Sequence, residues 1–246
     1  MSPNTPHIIR EFDDSIRKLV DCLISMGTQS RLNLQRSIDG LLTRDLDLCK
    51  AVIADDNEVD EAERTIDSMG MNILLRYHPV ARDLRLVITC MKAAANLERI
   101  SDHAVNIAKR GRKMLDREEV REARLIEPIF HMADDMLQEA LTAFADRDSG
   151  RGRGLKDQDK ELDRAHKRVT TTLSELLEEG GENSASYLHL IFIVRSLERV
   201  GDLAVNIGED AVFLDVAEDI RYGRHKTVET PAADLSAGGA AEDEVG

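Results

Sequence analysis

The stretch NLERISDHAVNIAKR, from Asn96 to Arg110, returns one hundred residues later as SLERVGDLAVNIGED, from Ser196 to Asp210, with eight of fifteen positions identical. Unrelated stretches would share about one, because a typical residue makes up only a few per cent of average composition. A chain that repeats itself at a long spacing folds the same way twice, so this feature limits the architecture more than any other. The duplication reaches back toward the N-terminus. Met136–Asp148 aligns with Asn33–Asp45 at an offset of 103, and DNEVD (Asp56–Asp60) falls on DKELD (Asp159–Asp163) at the same offset. By the LER motif the offset has dropped to 100, so the connection ahead of it is expected to be three residues shorter in the second copy.

Apolar residues recur at spacings of three and four, as in Val59, Ala62, Ile66, Met69 and Ile73. That is a helical period, and alternation of the kind strands need is scarce. Gly and Pro gather at Pro79, Gly111, Pro128, Gly150 to Gly154 and Gly180–Gly181. These divide the chain into six helices, at roughly 8–44, 48–76, 81–114, 124–147, 155–179 and 184–222. Helices joined by short loops pack antiparallel, so the expected fold is all-α, two tandem three-helix bundles over residues 1–118 and 119–224. The run SGRGRG (Ser149–Gly154) reads as an unusually loose connection. Residues 225–246 are rich in Ala, Gly and acid; they lack the apolar surface to offset ordering entropy and are expected to be disordered. Apolar residues make up 42% of the chain, but aromatics only 3% and Trp none, so the core must be aliphatic.

At about 100° per residue, Leu97, Ile100, Ala104 and Ile107 form one stripe that must face the core. Glu98, Asp102 and Asn106 step by four along the opposite face, as do Glu198, Asp202 and Asn206 against Leu197, Val200, Ala204 and Ile207. Ser101 and Gly201 fall beside the core stripe, where a small residue lets a neighbouring helix approach. One such triplet would be an ordinary solvated face, with Arg99–Asp102, Arg195–Glu198 and Arg199–Asp202 as surface pairs. Its recurrence argues otherwise, and Asn is a poor helix former but a good oxygen donor.

The preceding helix of each copy supplies a second acidic stripe: Asp56, Asp60, Glu63 and Asp67 in the first, Asp159, Asp163, His166 and Thr170 in the second. Carboxylates on neighbouring helices, with axes about 8–10 Å apart, can converge on cations in the groove. Without cations they repel, and some of their pKa values should rise. Oxygen ligands favour magnesium, manganese or iron, and one imidazole tilts the second site toward a transition metal such as iron or zinc. His103 lies about 100° from Asp102 and has Leu203 as its counterpart, so it is excluded as a ligand.

A net charge of −14 excludes nucleic acid as a natural partner, since a phosphate backbone would be repelled. Cys22, Cys49 and Cys90 lie far apart in apolar contexts and read as reduced core thiols, which favours the cytoplasm. No signal peptide or membrane-spanning run is apparent; at most the chain would be peripheral to a membrane.

LERISDHAVNI and LERVGDLAVNI, preceded by DNEVD and DKELD, resemble the paired motifs of the PhoU family of phosphate-uptake regulators. HPVARDLR (His78–Arg85) and HIIREFDDSIRKL, near the start, do so too. The resemblance covers residue 7 to about 222. It implies tandem three-helix bundles binding multinuclear metal clusters through paired acidic motifs. The carry-over falls on Asp56 and Asp60 with Glu98 and Asp102, and on Asp159 and Asp163 with Glu198 and Asp202. It also implies negative regulation of the phosphate-starvation response, through a phosphate ABC transporter with its ATPase and a membrane sensor histidine kinase.

Two other classes remain: a metal-free acidic helical adaptor, and a di-iron carboxylate enzyme. The enzyme would need carboxylates inside a four-helix core and Glu-x-x-His twice, whereas the chain offers a single Asp163-x-x-His166 facing outward. No phosphate-cradling loop, activated nucleophile or dinucleotide fingerprint is present, so no catalysis is expected. Neither motif clusters arginines at a helix N-terminus, so direct phosphate recognition is not expected either. His103 and Leu203 flank the acidic stripe, and the apolar residues to spare suggest a homodimer.

Overall fold

The computed structural model describes residues 5–221 and 226–227. Six long helices account for nearly all of it: α1 (Thr5–Leu42), α2 (Leu46–Tyr77), α3 (Ala81–Leu115), α4 (Ile126–Asp146), α5 (Ser149–Glu179) and α6 (Ser184–Val216), with a 3₁₀ turn at Arg121–Leu125. The fold is all-α, as the periodicity predicts, apart from a two-residue antiparallel pairing of β1 (Glu218–Asp219) with β2 (Lys226–Thr227). Lys226 and Thr227 therefore do not belong to a wholly disordered tail. The rest of that expectation lies outside the described residues.

The duplication is visible in the first connection of each copy. Arg44 and Arg147 both take left-handed backbone, at φ 56° and 55°. Each is followed by an Asp whose carboxylate caps the next helix: Asp45 accepts from the Asp47 and Leu48 amides, and Asp148 from the Arg151 amide. Such a cap contributes roughly 1 kcal/mol. Because Asp148 starts α5 at once, SGRGRG is not a loop; it forms the first turns of the helix. A Cβ at Gly152 would stand 2.5 Å from the Gly208 carbonyl oxygen, whereas one at Gly154 would meet nothing. Gly152 thus serves close contact between α5 and α6.

The second connection corrects another expectation. It spans residues 78–80 in the first copy and 180–183 in the second, so it is not shortened. The missing residues come from the start of α6, which begins three positions later than the equivalent of Ala81. Similarly, α6 stops at Val216 rather than near 222, with Ala217 left-handed at φ 59°.

Helices α1–α3 pack on one another, as do α4–α6, and the two bundles join through α3 against α6 and α1 against α4. The core is aliphatic, with Phe130, Phe144 and Tyr187 as its buried aromatics. Leu97, Ile100, Ala104 and Ile107 are wholly buried, and their counterparts in α6 nearly so. Cys49 and Cys90 are buried free thiols and Cys22 a half-buried one; burial pushes the Cys90 thiol up to about 12.

Equivalent positions meet where the bundles join. Arg31 on α1 donates two hydrogen bonds, at 2.6 and 2.8 Å, to the Asp134 carboxylate on α4, its own repeat equivalent. Arg110 stacks 3.9 Å over the Phe192 ring, while Arg99 and His103 share a cleft with Arg199 and Leu203. Helices α3 and α6 therefore run antiparallel about an approximate two-fold axis. Leu203 is only 3% exposed there. The apolar residues beside the acidic stripe are used to join the two bundles within one chain, and they are not the spare dimer surface that the sequence suggested. Among the described residues no helix is long and apolar enough to cross a membrane.

Candidate metal-binding grooves

Each copy places its two acidic stripes along one surface groove, between α2 and α3 and between α5 and α6. Asp102, Asn106, Asp163 and Asn206 are exposed; Asp56, Asp60, Glu98, Asp159, His166, Glu198 and Asp202 are half-buried. The triplets do face away from the apolar core. Of the surface pairs expected to neutralise them, Arg199–Asp202 forms, at 3.7 Å. Arg99–Asp102 and Arg195–Glu198 do not form among the described residues.

Burial, and then the charge of carboxylates across the groove, raises several of these groups above their ordinary values. Glu98 is pushed up to about 6, first by burial and then by Asp102, Glu63, Asp60 and Asp56. Asp56 is raised by burial, Asp102 and Asp60. In the second groove Asp159 is pushed up to about 6 by burial, Asp163, Asp202 and Glu198. Glu198 is also raised, by burial and Asp202, with His166 and Arg199 pulling the other way. Burial and Asp163 raise Asp202 against Arg199.

Two sets of residues lie outside the paired motifs yet belong to these grooves. Glu63 bears directly on Glu98, and its repeat equivalent is His166; the alignment of the acidic stripes carries that signal. In the first copy a polar chain crosses the bundle. Gln29 donates to Asn33 at 3.2 Å, Asn33 to the Ser101 hydroxyl at 3.5 Å, and Ser101 to the Asp56 carboxylate at 3.4 Å. The second copy has Met136 and Gly201 in place of Asn33 and Ser101. Leu162 fills the space that a Gly201 side chain would need, and the Met136 Sδ lies 3.6 Å from it.

Chemically, each groove is a row of hard oxygen donors holding more negative charge than its surroundings neutralise. That donor set fits hard divalent cations, with His166 adding a softer nitrogen in the second groove. The side chains are spread along the row: among the described residues no three carboxylate, imidazole or thiolate groups are gathered closely enough to hold an ion.

The PhoU domain model matches residues 23–111 and 126–211, one match per copy. The phosphate-specific transport system accessory protein PhoU homolog of Pseudomonas aeruginosa is 32% identical over 89% of this chain and 90% of its own length. The phosphate-specific transport system accessory protein PhoU of Escherichia coli is 29% identical over 88% and 90%. The crystal structure of PhoU from Pseudomonas aeruginosa superposes with a TM-score of 0.79 at 32% identity, over 82% of this chain and 98% of that one. With both copies matched and the same six-helix arrangement found in a solved relative, the chain belongs to the PhoU family.

Proposed function

We propose that this protein is a negative regulator of phosphate uptake and of the phosphate-starvation response, acting by binding partners while cations occupy its two acidic grooves. The observation that carries the reading is the recurrence of one groove in both copies, with carboxylates raised by burial and then by their neighbours in each. Folding pushed like charges together twice, and a bound cation would offset that cost. The names of the relatives place them as accessories of a phosphate transport system. The partners proposed here are a phosphate ABC transporter with its ATPase and a membrane sensor histidine kinase, met at the cytoplasmic side. In the first groove Asp56, Asp60, Glu98 and Asp102 would hold the cation, with Asn106 at its edge. In the second, Asp159, Asp163, Glu198 and Asp202 would do so, with His166 and Asn206. The ions would neutralise the acidic faces or bridge to partner carboxylates.

Deleting the gene in its source organism tests the regulatory reading. In high phosphate, starvation genes should switch on and uptake should run unrestrained; wild-type expression and uptake, with no redundant copy present, would remove it.

A metal-free acidic adaptor is the second reading, favoured by the absence of a closed three-ligand group among the described residues. A di-iron enzyme is the least supported. Its carboxylates would have to come from several helices into the core, yet the buried carboxylates among the described residues are Glu209 and Asp210, neighbours on α6. A homodimer remains part of the proposal on a different surface, since Met71, Leu75 and Val80 at the α2–α3 turn are exposed. Sedimentation at tens of micromolar that shows a monomer at every concentration would exclude it.

A further inference from the structure

The basic charge of this acidic chain is unevenly placed. Over residues 109–117, closing α3, and 184–197, opening α6, six Lys and Arg residues stand against one acid, Asp116, although the whole chain carries a net charge of −14. Because α3 and α6 run antiparallel, the two stretches lie side by side. Arg110 stacks 3.9 Å over the Phe192 ring. Lys113 lies one turn further along the same face, and Arg117 follows in the closing turn, its amide donating to the Met114 carbonyl at 3.0 Å. Arg44 fixes that turn by donating to the Leu115 and Arg117 carbonyls at 2.7 and 2.8 Å. His189, on α6, feels all three cations: burial and then Arg110, Lys113 and Arg117 hold it below its ordinary pKa, and no carboxylate bears on it. Among the described residues none of the three forms an ion pair. Beside them Leu188 and Phe192, one turn apart, are 43% and 38% exposed.

The other end of the same crossing shows a charge settled within the protein. Asp210 and Lys92 are the repeat equivalents of Arg110 and Phe192, and there Lys92 bears on the Asp210 carboxylate, which is only 6% exposed. At the Arg110 end Lys113 and Arg117 are exposed instead. The acidic grooves do not cancel them: Asp102 lies about 16 Å from Lys113 along the axis, at 1.5 Å per residue, about twice the screening length at physiological salt. We infer that this end of the α3–α6 pair is a membrane-docking face, on which Arg110, Lys113 and Arg117 meet anionic lipid headgroups while Leu188 and Phe192 enter the headgroup boundary. Two helices lying side by side present a flat surface, which suits a bilayer better than a single acidic peptide. Neither groove takes part, so the inference stands apart from the cation reading.

Flotation of the full chain with lipid vesicles, in the presence of chelator, tests it. The protein should float with vesicles of equal parts phosphatidylglycerol and phosphatidylcholine at low salt, and stay behind at high salt or with phosphatidylcholine alone. Lys113→Gln and Arg117→Gln, both at exposed positions, should each weaken partitioning by about fivefold, and Leu188→Ser should weaken it too. Arg76→Gln, which removes the same charge from an exposed ion pair at the far end of α2, should leave it unchanged. No flotation with the anionic vesicles, equal flotation with the neutral ones, wild-type partitioning by all three face variants, or an equal loss in Arg76→Gln would each overturn the inference. If the wild type ignores both vesicles yet binds poly-glutamate through Lys113 and Arg117, the face serves an acidic protein and the membrane inference fails.

Discussion

The two copies share a backbone plan but differ in how each groove is supported. In the first, Asn33 and Ser101 deliver a hydroxyl donor to Asp56. In the second, Met136, Leu162 and Gly201 fill the same place with apolar contact. Asp159 has no such donor behind it and is pushed up to about 6, while the hydroxyl restrains the rise at Asp56. Duplication preserved the outward carboxylates and let the layer beneath diverge. A repeat can thus keep one charge pattern while tuning each site from below.

The largest expected effect lies where the second copy is packed more closely than the first. Gly152 and Gly208 replace Cys49 and Ala108 of the first copy. Gly152→Ala should destabilise the protein by about 1–3 kcal/mol, the usual range for overpacking. Gly154→Ala, on open helix surface, should stabilise it by about 0.5–1 kcal/mol. Denaturant unfolding of both variants checks the contrast, and equal effects would return SGRGRG to the status of a plain linker.

Next is pH. Glu98 and Asp159 are raised to about 6 in the folded protein, above the ordinary values of 4.5 and 3.8. Below those ordinary values both states are protonated and the groups leave stability unchanged. As pH rises from those ordinary values to about 6, the unfolded chain has given up its protons while the folded one still holds them, so metal-free protein loses stability. Thermal unfolding without metal should show its midpoint falling from pH 5 to 7, and Mn²⁺ should restore it at pH 7. Conversely, protons should begin to displace bound ions near pH 6 and finish below about pH 4.

A smaller effect should follow from exchanging the one ligand-type difference between the grooves. Glu63→His should move the first groove toward zinc over magnesium by about tenfold, and His166→Glu should move the second the other way. Competition calorimetry on each variant would measure the shift. The smallest change expected is from Ser101→Gly, which removes the hydroxyl donor and should raise Asp56 further, toward the behaviour of Asp159. A carboxyl-carbon NMR titration would detect it.

Much of this was legible in the sequence because it rests on periodicity. The six helices, the buried stripes of α3 and α6 and the outward triplets all follow from a 3.6-residue repeat written twice. What escaped depends on neighbours distant in sequence. Gly152 looks like a loop residue until Gly208 is seen against it. Leu203 and His103 looked spare until α3 was laid across α6. The Asn33–Ser101–Asp56 chain joins three helices through residues that are individually unremarkable. The paired acids were visible as stripes, but how they face one another across each groove needed the packing of two helices.

The most direct test is elemental analysis of protein purified without chelator, beside the Asp102→Ala and Asp202→Ala variants and the double variant. Two cation-loaded grooves require metal in the wild type, partial loss in each single variant and near-complete loss in the double. Metal content unchanged in the double variant, or none in the wild type, would contradict them.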